Sequence, residues 1–173
     1  MQSKIMWASF CLLGAAYATQ ASADLSPPAR QYTLEGNRLV LPSPIEFKAG
    51  TAELLPASTK AIAVIAGYLK DKAYISLLRV ESHLDSSGTG EAGQRLSEQR
   101  ALAVAKALVK QGTECKRLLP VGFGANKPVA ANDNAEGRAK NQRVEAVNAE
   151  LKGRAIGGMP TDGGGKIAGD PCK

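Results

Sequence analysis

Aromatic residues are scarce. Phe, Trp and Tyr together make up 5% of the 173 residues, too few for the stacking platforms that hold single-stranded nucleic acid. Histidine occurs once, at His83, and cysteine three times, at Cys11, Cys115 and Cys172. One imidazole and so few thiols cannot close a tetrahedral zinc site, so neither a metal nor another cofactor is expected. No internal repeat occurs, and beyond Ala23 no apolar run approaches the roughly 20 residues that cross a bilayer. No transmembrane segment is expected after that point.

What is present suits one domain with tails, since a domain takes on the order of 100 to 200 residues. Hydrophobic residues make 44% and charged residues 22% of the chain, ordinary values for a globular protein. The formal charge of +6 is modest and its signs are interspersed, which gives at most a weak, salt-screened attraction to anionic surfaces. Near the start, Lys4 precedes an apolar stretch from Ile5 to Ala18, and Ala21-Ser22-Ala23 offers small residues for cleavage. Residues 1–23 are therefore expected to be a signal peptide, removed on export. Cys11 lies inside that apolar stretch beside bulky Phe10 and does not read as a lipid-attachment site. In an oxidising compartment the remaining pair, Cys115 and Cys172, is expected to form a disulfide.

Residues 24–43 read as a leader with short strands, in which Glu35-Gly36-Asn37 is a hairpin turn. Ile45-Glu46-Phe47 alternates as a strand should. Pro56 opens a helix, where its missing N–H costs nothing. Ile62, Ile65, Ala66 and Leu69 then give that helix a single apolar stripe, ending near Asp71. Tyr74 to Val80 is apolar on both parities apart from Ser76 and Arg79, the pattern of a central strand. A second helix is expected to begin between Thr89 and Gly93 and to run to Gln111, where Gly112 can take the left-handed cap. Arg117 to Phe123 reads as the next strand. From residue 152 onward glycine dominates and periodicity ends, so 152–173 is read as a tail.

Between the central strand and the second helix lies Glu81 to Ala101, ESHLDSSGTGEAGQRLSEQRA. It carries Ser82, His83, Leu84 and Asp85, then Gly88 and Gly93, then Leu96, Ser97, Arg100 and Ala101. Further on, Asn141-Gln142-Arg143-Val144-Glu145 leads into a last apolar segment. Both stretches resemble signatures of the OmpA-like peptidoglycan-binding domain family, which includes Pal-like and MotB-like proteins. The first matches Gly-His-Thr-Asp followed by Leu-Ser-x-x-Arg-Ala; the second matches Asn-Arg-Arg-Val-Glu. The resemblance covers about residues 45–150.

The resemblance implies an α/β sandwich at residues 44–151, with helices packed on one face of a small mixed sheet around a βαβαβ-type core. It also implies a non-catalytic protein of the periplasm, associated with the cell wall or outer membrane. Its partner would be peptidoglycan, bound through the diaminopimelate of the stem peptide, with other envelope proteins as further partners. The free end of diaminopimelate bears an ammonium and a carboxylate on one carbon. Asp85 suits the ammonium, and Arg100 can hold the carboxylate by two parallel N–H bonds, which Lys could not. By the same resemblance Arg143 is a third ligand or orienting group, with His83, Gly88, Leu96 and Asn141 in support. This chain departs from the pattern at Ser82, Leu84, Gly93 and Gln142, where Gly, Thr, Asn and Arg would stand. An envelope interaction protein with the same fold and little wall affinity is the alternative reading.

Blander readings stand beside these. Asp85 and Arg100 on their own could form a structural salt bridge. Ser86, His83 and Asp85 contain the letters of a hydrolase triad, but such near neighbours alternate in direction along an extended segment. No Gly-x-Ser-x-Gly elbow accompanies them. Gly163-Gly164-Gly165-Lys166 lacks the spacing, the following Ser or Thr and the preceding strand of a phosphate loop. The Lys and Arg residues from Arg138 to Arg154 read as solvated surface.

Overall fold

In the computed structural model the described residues are 31–173, apart from residue 159. The expected signal peptide at 1–23 and the start of the leader lie outside them. Strands β1 (Leu34–Glu35) and β2 (Arg38–Leu39) form the hairpin expected at Glu35-Gly36-Asn37. Further strands are β3 (Ile75–His83), β4 (Leu118–Gly124), β5 (Arg143–Leu151), β6 (Arg154–Ala155) and β7 (Lys166–Ile167). The sheet order is β1-β2-β5-β3-β4-β7, with β6 also paired to β5. The sheet is mixed: β3 runs parallel to β4 and antiparallel to β5.

Helices α1 (Thr59–Asp71) and α2 (Gly90–Lys110) cover one face of this sheet. Their apolar stripes, Ile62, Ile65, Tyr68 and Leu69 from α1 and Val104, Ala105 and Leu108 from α2, meet Leu78, Val80, Leu118, Val144 and Ala146 of the strands in one buried cluster. Burial of such side chains contributes about 1.5–3 kcal/mol each, so this layer contact dominates the stability. Alternation along β3 then sends Arg79 and Glu81 to the opposite face. Both are buried there, consistent with a central strand.

What buries them is the segment read as a tail. Strand β7 pairs antiparallel with β4, and Ala168 N–H donates to Pro120 O at 2.9 Å. Between β6 and β7 the chain crosses the helix-free face, where Thr161 O accepts from Arg79 Nη1 at 2.7 Å and Gly163 O from Lys127 Nζ at 2.9 Å. Side chains have no room beneath this strap. A Cβ at Gly165 would lie 2.4 Å from Val121 Cγ1 and 2.8 Å from Phe123 Cζ. The expected disulfide between Cys115 and Cys172 closes the strap, with a Cα separation of 5.2 Å.

Two local expectations differ from the structure. Ile45-Glu46-Phe47 makes a single bridge, Phe47 to Leu54, and no strand. Pro42 and Pro44 lack backbone donors, and the polar groups of Glu46 are satisfied elsewhere: Ser58 Oγ accepts from Glu46 N–H at 2.8 Å and donates to Glu46 O at 2.9 Å. A short helix not anticipated from periodicity, α3 (Ala135–Asn141), precedes β5, its first turn capped by Asn134 Oδ1 on Gly137 N–H.

Candidate functional site

Beyond the C-terminal end of β3 the chain leaves the sheet, after the pairing of β3 with β4 has shifted register between Ser82 and His83. Asp85 then caps a single 3-10 turn, Ser86–Gly88, before α2 begins. One carboxylate oxygen of Asp85 accepts from Ser87 N–H at 3.0 Å and from the Ser87 hydroxyl. The other accepts from Gln142 Nε2 at 2.9 Å. Burial opposes ionisation of Asp85, but the Ser87 and Gln142 hydrogen bonds and the nearby Arg138 charge outweigh it and hold the carboxyl below its usual range.

Arg100 approaches from α2, only 7% exposed. Its Nε donates to Thr51 O at 2.8 Å, and its guanidinium lies 4.8 Å from the Phe47 ring centroid. The carbonyl and the ring fix the plane of the guanidinium. Among the described residues its two terminal nitrogens make no hydrogen bond, and no ion pair within 4.0 Å joins them to Asp85. Burial lowers the pKa of Arg100 from its usual value, and the negative charge of Asp85 acts against that change. The two groups therefore feel each other across a gap.

Two clefts meet at Arg100 and Gln142. The larger, about 570 Å³, is lined by Gly50, Leu84, Ser87, Gly88, Gly93 and Leu96 among others. The smaller, about 320 Å³, is lined by Phe47, Ser82, His83 and Arg143 among others. Gly88 and Gly93 let the loop and the first turn of α2 touch: a Cβ at Gly93 would lie 2.1 Å from Gly88 O. An asparagine at 93 cannot occupy this backbone arrangement. Leu84 is buried and gives the larger cleft an apolar wall.

The other residues singled out from sequence take distinct places. His83 is 2% exposed and stacks on Phe123 with ring centroids 4.9 Å apart. Asn141 is fully buried; its Oδ1 accepts from Val129 and Ala130 N–H, and its Nδ2 donates to Ala130 O and Asn132 Oδ1. Asn132 Oδ1 also accepts from Ser86 N–H at 3.2 Å, so Asn141 is linked through one side chain to the Asp85 turn. Arg143 borders the smaller cleft, where its Nε donates to Glu145 at 2.7 Å and its terminal nitrogens meet Lys127 O at 3.3 Å.

Sequence reasoning missed Gln142 and Ser87 as bonding partners of Asp85 and Arg138 as a charge acting on it. Gln142 stood out only as a departure from a pattern, and Arg138 read as surface. The single turn of α3 between Arg138 and Gln142, signalled by Asn134 three residues before Gly137, would have placed both on one side.

Behind His83, the donor atoms of Glu81, His83 and Glu145 lie within 4.8 Å of one another, a set that could hold a metal ion. Each carboxylate already accepts from an arginine, Glu81 from Arg79 at 2.6 Å and Glu145 from Arg143 at 2.7 Å and Arg38 at 2.9 Å. Burial raises the pKa of both acids, but their hydrogen bonds and the neighbouring cations outweigh it and keep them below the ordinary glutamate range.

The chain is thus an α/β domain with two helices on one sheet face, in which Asp85 follows the end of the central strand and its charge acts on Arg100 of α2. Residues 46–142 match the model of the OmpA family, more than half of the chain, and the chain belongs to that family. It is 36% identical to YiaD of Escherichia coli (strain K12) over 121 residues, covering 69% of this chain and 55% of YiaD. It is also 36% identical to the peptidoglycan-associated lipoprotein of Pseudomonas aeruginosa over 99 residues, 57% of this chain and 58% of that one. The chain thus spans less than two thirds of either relative. Among solved structures, the cell wall anchor of the T6SS from Pseudomonas aeruginosa aligns at 30% identity with a TM-score of 0.52, over 60% of this chain and 75% of that one.

Proposed function

We propose that this domain binds peptidoglycan noncovalently in the cell envelope, gripping the free end of a diaminopimelate side chain between Asp85 and Arg100. The observation that carries this reading is the unbridged gap. The Asp85 carboxyl is held below its usual range and, among the described residues, the two terminal nitrogens of Arg100 make no hydrogen bond and no ion pair with it. A headgroup with one ammonium and one carboxylate on the same carbon completes both at once. Each charge-assisted hydrogen bond formed in this way contributes about 1.5–3 kcal/mol.

Within this reading Gln142 and Ser87 orient the acid without cancelling its charge, and Thr51 O and Phe47 orient the base. The protein performs no chemistry on the wall; it anchors. The names of the Pseudomonas relative and of the wall-anchor structure support the same partner. Co-sedimentation with purified sacculi tests it. Wild type is expected in the pellet, and Asp85→Ala and Arg100→Ala, each folded by circular dichroism, in the supernatant. Equal sedimentation of all three removes the site; no sedimentation of wild type favours an envelope interaction protein, a reading that apolar Leu84 on the cleft wall supports.

A further inference from the structure

The turn that carries Asp85 is fixed at one end by packing and at the other by a single outside bond. At its far end Gly88 lies against Gly93 of α2, with no room for a Cβ between them. At its near end Ser86 and Ser87 are exposed. The bonds within the turn, Gly88 N–H to Asp85 O at 2.9 Å and Ser87 N–H to the Asp85 carboxylate at 3.0 Å, do not tie it to anything else. Ser86 N–H, the first donor of the turn, has no partner inside it and donates instead to Asn132 Oδ1 at 3.2 Å.

Asn132 is itself set by the segment around α3. Gly137 packs so closely on the preceding loop that a Cβ there would lie 1.8 Å from Ala131 O, and Arg138 Nη1 donates to Asn132 O at 3.0 Å. Buried Asn141, which accepts from Val129 and Ala130 N–H, donates from Nδ2 to Asn132 Oδ1 at 2.9 Å. With two donors on it, that oxygen cannot turn away without leaving both unpaired. The same segment reaches Asp85 a second time, because Gln142 follows Asn141 and its Nε2 donates to the other carboxylate oxygen at 2.9 Å. Asp85 is thus held by one segment at two points, its following peptide and its carboxylate, while Arg100 is fixed separately by Thr51 O and Phe47.

We infer that Asn132 is a positioning residue of the Asp85–Arg100 site: through Ser86 N–H its side-chain oxygen sets the direction of the Asp85 carboxylate relative to the guanidinium. Asn132 lines neither cleft and touches no ligand itself. Its effect on binding rests on the diaminopimelate grip proposed above, whereas its hold on Asp85 does not.

Two measurements on wild type, Asn132→Ala and Asn132→Asp test this: calorimetric titration with free meso-diaminopimelate at pH 7, and NMR titration of the Asp85 carboxyl in the free protein. Asn132→Ala is expected to bind at least about threefold more weakly, the loss of one ordinary hydrogen bond, and its Asp85 is expected to titrate at higher pH than in wild type as the Ser87 and Gln142 bonds loosen. Asn132→Asp keeps an acceptor for both donors and is expected to bind within about twofold of wild type. A general loss of stability would leave the Asp85 midpoint of the folded protein in place. If Asn132→Ala does not fold, Asn132→Ser, whose hydroxyl is too short to reach both donors, takes its place with the same expectation. Wild-type affinity or an unmoved Asp85 midpoint in Asn132→Ala overturns the role, and so does an alanine-like loss of affinity in Asn132→Asp. If wild type does not bind diaminopimelate, the grip falls and the midpoint alone decides: an upward shift in Asn132→Ala supports the hold on Asp85, and no shift overturns it.

Discussion

Asp85 keeps its charge through neutral partners, Ser87 and Gln142, with Arg138 acting from farther away. A depressed carboxyl pKa means that the acid stays ionised where an ordinary aspartate, near 3.8, is already losing its charge. Binding to sacculi at pH 3.5, where an ordinary aspartate is only about one third ionised, is therefore expected to stay within about twofold of its value at pH 7, and to fall only in stronger acid. A half-loss of binding near pH 5 contradicts this. Asp85 and Arg100 are legible in the sequence because two opposite charges flank a Gly-Ser loop within a recognisable pattern. Asn132, Gln142 and Arg138 are not, because their roles depend on the Asp85 turn and α3 being brought together from distant parts of the chain.

At the scale of elements, α1, β3, α2 and β4 follow from hydrophobic periodicity; α2 and β4 lie within a residue or two of their expected bounds, α1 begins three residues later, after a 3-10 turn at Pro56–Ser58, and β3 runs three residues further, to His83. The strap is not legible in this way. Glycine-rich sequence has no periodicity to read, and its order comes from long-range pairing of β7 with β4 and from close packing on Val121 and Phe123. Absence of side chains is here a packing requirement. Gly165→Val is expected to lower unfolding stability by about 1–3 kcal/mol, the usual cost of overpacking, and to speed proteolysis within residues 152–173. Unchanged urea denaturation and protease resistance would mean that the strap does not rest on the sheet as described.

On the scale of the whole molecule, one covalent link and several buried acids set the conditions of stability. The Cys115–Cys172 bridge closes a separation of 57 residues, and in the chain-entropy model it contributes roughly 4 kcal/mol. Replacing both cysteines by alanine is expected to shift the urea midpoint down by a comparable free energy; no shift would indicate that pairing of β7 alone holds the strap. Glu81, Glu145 and Asp85 all titrate below their ordinary values in the fold. Their contribution is thus complete above the ordinary carboxyl range and is lost as pH falls through the folded values. A thermal midpoint that is flat from pH 7 to about 5 and declines below pH 4 is the expected profile.

The proposed wall binding depends most on Asp85 and Arg100 acting together on one zwitterion. Calorimetric titration of free meso-diaminopimelate into wild type, Asp85→Asn, Arg100→Lys and the double variant measures this directly. Wild type is expected to bind, each single variant to lose at least tenfold in affinity, and the double variant to lose less than the product of the two single losses. Wild-type affinity retained in either single variant, or strictly multiplicative losses, would contradict a shared grip.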